Sequence, residues 1–313
     1  MQNFFKVHIN DDYMSLEGSS LYNIIMFILG IIALIFNTME MIININNSLY
    51  KQSLHNCIRL YCNFAGAILA IRNFVFSALN LCLFGSNWFF TSEQVCLGRA
   101  ILDVVVVYLF QCAFIAEIIT FAISIVYPIF FMRHVDNTYV KIGLGCGILF
   151  LSFLSVSMMF IGRGRLPEYL GFCVIYNNWT PTFQGLHSFL TVFIMIMVVA
   201  TYFKTKSHIG HMSSEEKLRK NICSFMCWSM LFFLVFCLLP NLLLVVSFFM
   251  NLDCNFKNVS LDAFYLTVCI SLIVPFPFAL WKNKLIRKHF LELSCIPHIV
   301  NRVSNTKTTS LTA

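Results

Sequence analysis

LYNIIMFILGIIALIFNTMEMIINI, residues Leu21–Ile45, is a run of 25 residues with a single charged side chain, Glu40. A helix rising about 1.5 Å per residue needs roughly 20 apolar residues to cross the hydrocarbon core of a bilayer. Six further runs of this kind follow, at Cys57–Phe84, Ala100–Phe131, Ile142–Ile161, Phe183–Phe203, Ile222–Met250 and Leu261–Trp281. Lipid cannot hydrogen-bond a bare backbone, so each run is read as a helix that satisfies its own amides. The expected fold is an all-α membrane protein, a bundle of seven transmembrane helices.

Composition agrees. The chain of 313 residues is 59% hydrophobic and 11% charged, against about 25% charged for ordinary soluble domains. Helices and short connections consume nearly all of it. The expected organisation is an extracellular N-terminus over 1–20, the seven-helix bundle over 21–281, an amphipathic cytosolic helix over 282–296, and a disordered cytosolic tail over 297–313. The first twenty residues contain Asp11, Asp12 and Glu17 and lack the basic start of a signal peptide. The first span is therefore expected to act as an uncleaved signal anchor.

Loop charge sets the orientation. With the N-terminus outside, the cytosolic set is Lys51, Arg133, Lys141, Lys204, Lys206, Lys217, Arg219, Lys220, Lys282, Lys284, Arg287, Lys288, Arg302 and Lys307. The outer set is Lys6, Arg99, Arg163, Arg165 and Lys257, while Arg59 and Arg72 fall inside the second run. This bias places the C-terminus in the cytosol. It also accounts for most of the net charge of +7 without a nucleic-acid partner. Two sequons, at Asn178 and Asn258, fall in outer loops as candidate glycan acceptors.

Most of the 13 cysteines lie in apolar runs, where Cys is a small hydrophobe. Cys82, Cys96, Cys173 and Cys254 sit near the outer, oxidising face. A Cys96–Cys173 disulfide would pin the second outer loop over the bundle mouth. Free thiols, or pairing with Cys82 or Cys254, are the alternatives.

Seven helices, an outer N-terminus, Cys96 and an outer-loop cysteine together resemble the G-protein-coupled receptors. Counting from Cys96 and back from Pro128 puts the Asp-Arg-Tyr motif of the rhodopsin-like branch on Thr120-Phe121-Ala122, where it is absent. Glu117 and Ala122 are similar to the Glu-Arg-x-x-x-Ala-like pattern of some nematode receptors, with Ile118 in place of Arg. Cys237-Leu238-Leu239-Pro240 is similar to Cys-Trp-x-Pro, and Val274-Pro275-Phe276-Pro277-Phe278 to Asn-Pro-x-x-Tyr with both polar residues lost. With Leu54-His55-Asn56 and Trp281-Lys282-Asn283-Lys284-Leu285, the pattern over roughly residues 20 to 295 resembles the nematode serpentine chemoreceptors, with the alpha, alpha-beta, beta and epsilon classes nearest. The resemblance implies a plasma-membrane receptor for a small odorant or pheromone-like ligand, with a heterotrimeric G protein as partner. A seven-helix transporter or channel, or a non-signalling membrane protein, is the alternative.

Charge inside the membrane is costly and faces a cavity or a partner. Arg72 and Asp103 are read as polar elements of an outer-half ligand pocket, with Arg72 about 9 Å deeper by helix rise. The competing reading pairs Asp103 with Arg99 one turn above, leaving Asn73 and Asn80 for Arg72. Gln184 and His187 are further pocket candidates or interface anchors. Glu40 and Glu117 are assigned structural hydrogen bonding. Pro240, Pro275 and Pro277 mark kinks in helices six and seven, either hinges or static bends. Gly143 and Gly147 fit the small-xxx-small pattern and are expected to pack within the bundle, with homo- or heterodimerisation as the other use. Leu285, Ile286, His289, Phe290 and Leu293 share one side of a basic helix suited to the lipid interface. Cys295 is a candidate palmitoylation site. No zinc spacing, phosphate loop or nucleophile elbow occurs, so neither a cofactor nor an enzyme activity is expected.

The orientation is open to a direct test. Epitopes placed at residue 210 and at the C-terminus are expected to be reached by antibody only after permeabilisation. Labelling of either on intact cells overturns this orientation.

Overall fold

The computed structural model describes residues 19–83, 91–161, 169–170, 180–210, 217–250, 252, 254–282 and 284–293. Among these described residues, seven helices are long and apolar enough to cross a membrane. They are α1 (Ser20–Asn46), α2 (Leu54–Leu83), α3 (Glu93–Val126), α4 (Thr138–Met159), α5 (Pro181–Gly210), α6 and α7. Helix α6 has three consecutive parts, Lys217–Phe233, a π-helical turn Leu234–Leu238, and Leu239–Phe249. Helix α7 has two, Cys254–Ile273 and Pro275–Lys282, and a short α8 (Lys284–Leu293) follows. We call the end of the bundle where α1 begins the N-side and the opposite end the C-side.

The chain is a seven-helix bundle. Helix α1 packs against α2 and α7, α2 against α3, α3 against α4 and α5, and α5 against α6, which meets α7 and closes the ring. Helix α3 is the axis: 78% of its most apolar stretch is buried, against 22% for α4. Large apolar side chains cover the outside. Phe150, Phe189 and Phe203 are each more than 60% exposed. In water such a girdle would be an extended apolar surface, and in a bilayer it is the surface that lipid covers.

Local chemistry explains the breaks. Between α1 and α2 the chain turns at Ser48, whose φ of 51° lies in the left-handed region. Asparagine amides staple that turn. Asn44 Nδ2 donates to the Asn56 carbonyl at 2.9 Å, and Asn56 Nδ2 donates to the Leu49 carbonyl at 3.1 Å. The apolar run expected to continue to Phe131 stops as a helix at Val126 instead. Pro128 has no amide to donate, and Tyr127 before it leaves the helical region at φ −131° and ψ 64°. Asn137 Oδ1 then caps α4 by accepting from the Val140 amide at 2.9 Å.

The prolines of α6 and α7 fall at irregular turns. Pro240 supplies no amide to the turn before it, and the helix there widens to the π turn Leu234–Leu238 before resuming at Leu239. Helix α7 is interrupted at Val274, immediately before Pro275, with Pro277 in the following segment. Two two-residue strands, β1 (Thr91–Ser92) and β2 (Tyr169–Leu170), pair antiparallel on the N-side. They sit four residues before Cys96 and three before Cys173, counting along the chain. Cys173, Asn178 and Cys295 lie outside the described residues. Asn258 was expected in a loop, but α7 begins at Cys254 and carries its sequon within the first turns, with Ser260 buried.

The glycines of α4 correct another expectation. A Cβ added at Gly143 or Gly147 would meet nothing within 4 Å, so these two do not pack inside the bundle. The intervening Gly145 does, since a Cβ there would lie 2.8 Å from the Tyr61 hydroxyl. On α1, a Cβ at Gly30 would lie 3.0 Å from the backbone nitrogen of Phe74. Backbone cannot swing aside as a side chain can. Gly30→Leu is therefore expected to lower the melting temperature of the purified protein by an overpacking penalty of about 1–3 kcal/mol or more. Gly143→Leu is expected to leave it unchanged. Equal losses from both would contradict this packing.

Candidate functional site

Two buried polar clusters cross the bundle. On the N-side, α2 carries Arg72 and α3 carries Asp103, side by side in antiparallel helices. Arg72 Nε bonds Asp103 Oδ1, and both side chains are almost fully buried. Arg72 Nη1 also donates to Asn73 Oδ1 at 2.8 Å. Its guanidinium lies over the Tyr265 ring at 4.0 Å and the Phe76 ring at 5.0 Å, two cation–π contacts that replace hydration. Asn73 Nδ2 in turn donates to Cys269 Sγ at 2.8 Å, tying α2 to α7. Of the two pairings the sequence allowed for Asp103, this is the cross-helix one. Arg99 lays its guanidinium over Phe76 at 4.7 Å.

A chain of hydrogen bonds adjoins this pair. Tyr108 on α3 meets His187 Nδ1 on α5 at 3.0 Å. His187 Nε2 meets Asn241 Oδ1 on α6 at 2.9 Å, and Asn241 Nδ2 donates to Thr191 Oγ1 at 2.9 Å. A carbonyl oxygen only accepts, so Nε2 carries the imidazole hydrogen and the Tyr108 hydroxyl donates to Nδ1. All four side chains are buried. They join α3, α5 and α6 at the residue that follows Pro240. His187 is thus a link between helices rather than an interface anchor. Gln184, half-buried one turn earlier on α5, does not line the cavity here. That cavity is bordered by Asp103, Val104, Val107, Tyr108, His187, Asn241, Leu244, Leu261, Phe264 and Tyr265. Its volume of about 10 Å³ is close to one water molecule's worth.

The sequence matches no protein-family profile and no curated protein.

The C-side cluster was assigned as plain hydrogen bonding, and it is ionic. Arg59 on α2 bonds Glu40 on α1 at 2.7 Å and Glu117 on α3 at 3.4 Å. Cys62 Sγ lies 3.7 Å from Glu117 Oε2. Two carboxylates share one guanidinium, at low dielectric, across three helices. Reading Arg59 as a residue within an apolar run missed this cluster, although the signal was present. Glu40 near the end of α1 and Arg59 near the start of α2 stand at similar depth in an antiparallel hairpin, by rise per residue. The adjacent cavity of about 40 Å³ is bordered by Asn37, Asn63, Ser229, Phe232, Leu272 and Pro275, among others, and so touches the segments of α6 and α7 next to their breaks. Among the described residues no three His, Cys, Asp or Glu side chains gather into a metal-binding group.

A buried ion pair loses more when one partner is removed than when both are replaced by apolar groups. Arg72→Met and Asp103→Leu are each expected to destabilise the purified protein by about 3–5 kcal/mol. The double variant should lose clearly less than the sum. The same cycle between Asp103 and Arg99 should show little coupling. Melting curves in lipid discs measure both, and additive losses for Arg72 with Asp103 would refute the pairing.

Proposed function

We propose that this seven-span protein is a chemosensory receptor of the nematode serpentine type. It resides in the plasma membrane with its N-terminus outside, binds a small odorant or pheromone-like molecule in the N-side half, and signals to a heterotrimeric G protein on the C-side. The observation that carries this reading is the Tyr108–His187–Asn241–Thr191 network. It runs through Asn241, next to Pro240 and three residues beyond the end of the π turn at Leu238. A change at the N-side cavity therefore bears directly on the irregular segment of α6. The other half of α6 faces the C-side cavity beside Glu117. A ligand shifts such an equilibrium only by its differential affinity for two packings. An already irregular helix offers two packings at modest cost.

The α7 break at Val274 borders the same C-side cavity. Both broken helices lie in the second half of the chain. A transporter built from repeats would place its broken helices in corresponding positions of both halves. The pairing of β1 with β2 also supports the receptor reading, because it draws the segment before Cys96 towards the segment before Cys173.

The decisive measurement is nucleotide exchange on purified heterotrimeric G proteins of each main class, with the protein in lipid discs. Exchange above that of empty discs with at least one class is expected. Asn241→Leu cuts the network between α3, α5 and α6, and should raise basal exchange about fivefold or more, the scale of a typical coupling energy. Absence of exchange with every class, from protein shown to be folded, would sink the receptor reading.

A further inference from the structure

Resting on the receptor reading above, we infer that the N-side cavity takes the hydroxyl group of a small uncharged alcohol, which donates its hydrogen to Asp103 Oδ2. Asp103 is 1% exposed and gives Oδ1 to Arg72. Its other oxygen, Oδ2, is buried without a hydrogen-bond donor among the described residues, and Asp103 borders the cavity. A buried acceptor left without a donor is costly. Oδ2 is therefore the acceptor that a bound molecule's donor would satisfy.

The neutral donors of the adjoining hydrogen-bond chain are committed to one another. The Tyr108 hydroxyl donates to His187 Nδ1, the His187 Nε2 hydrogen to Asn241 Oδ1, and the Asn241 amide to Thr191 Oγ1. None turns to Asp103.

Charge selects among ligand chemistries. Arg72 and Asp103 offset one another, and Arg99, over Phe76 at 4.7 Å, is not among the residues that border the cavity. An ammonium would add a second positive charge beside a guanidinium already seated over Tyr265 at 4.0 Å. A carboxylate would add a second negative charge beside Asp103. Aldehydes, ketones and ethers bring only acceptors, and would set lone pairs against Oδ2. A hydroxyl supplies the missing donor and no charge. The rest of the lining, Val104, Val107, Leu244, Leu261 and Phe264, suits an alkyl chain. A volume of about 10 Å³ matches the hydroxyl itself, so the chain must be short and displaces flexible side chains such as Leu244.

The test uses the full chain in lipid discs, with its melting temperature as a binding readout that needs no G protein. The probes are 1-hexanol, hexanal, hexylamine, hexanoic acid and methyl pentyl ether. Protection by 1-hexanol is expected at a concentration about tenfold or more below that of any other probe, the value of one hydrogen bond to a charged acceptor. Equal protection by the ether would reveal mere partitioning into lipid and overturn the proposal. So would equal potency of the aldehyde, amine or acid, or no protection by any alcohol from 1-butanol to 1-octanol.

Two variants sharpen the result. Asp103→Asn, whose amide can present a donor, should shift preference from 1-hexanol towards hexanal by about tenfold. Leu244→Ala keeps the carboxylate and should move the preferred alcohol to a longer chain; an unchanged preference counts against this cavity. Alcohol binding without nucleotide exchange would defeat the receptor reading and leave this site standing. Exchange driven by a different chemical class would do the reverse.

Discussion

Charge has no solvent inside a bilayer, and the arginines of α2 supply the counter-charge on which the packing of this bundle depends. Arg59 joins α2 to Glu40 of α1 and Glu117 of α3 near the C-side. Arg72 joins α2 to Asp103 of α3 towards the N-side. An ion left unpaired in such surroundings costs several kcal/mol, so each pairing restricts how α1, α2 and α3 slide or rotate. Close backbone contact does the rest. Gly30 lets α1 approach α2 at Phe74, and Gly66 leaves room for Asn37, whose amide donates to the Leu272 carbonyl of α7 at 3.2 Å. The first three helices and α7 form a block held by charge and by small residues.

The other side of the bundle is built differently. Helices α5 and α6 are linked to α3 by neutral hydrogen bonds through His187 and Asn241, and α6 contains a π turn. Neutral bonds are worth roughly half as much as charge-assisted ones. A π turn before a proline leaves the backbone less tightly bonded than regular helix. The molecule thus combines a firm half with a half that can change its packing. The two cavities described above lie where the halves meet, since each is bordered by residues of α3, α6 and α7.

Much of this was legible residue by residue. Run length and the scarcity of charge are local properties, so the seven spans follow from counting. Prolines also act locally, and Pro128, Pro240 and Pro275 mark breaks where their missing amides require them. The partner of Asp103 was narrowed to two arginines, Arg72 on α2 by depth and Arg99 on the same helix by i,i+4 spacing. The choice between them was not local, because it depends on how α2 and α3 are rotated against one another. The same limit applied to Gly143 and Gly147, whose spacing fits a packing motif although their side of α4 meets nothing. It applied to His187, which reads as an interface residue until Asn241, 54 positions away, is placed beside it.

What the sequence by itself determined is the solvent of each segment: which stretches are apolar enough for hydrocarbon, where their helices must break, and which end of the bundle collects basic residues. These follow from transfer energies and backbone chemistry, which depend on a residue and its near neighbours. What only the tertiary structure decided is which buried polar groups meet. Helix rotation and closest approach set that, and they result from the packing of all seven helices at once. Hence Glu40, Arg59 and Glu117 share one cluster, Arg72 rather than Arg99 meets Asp103, and Asp103 keeps one oxygen without a donor among the described residues.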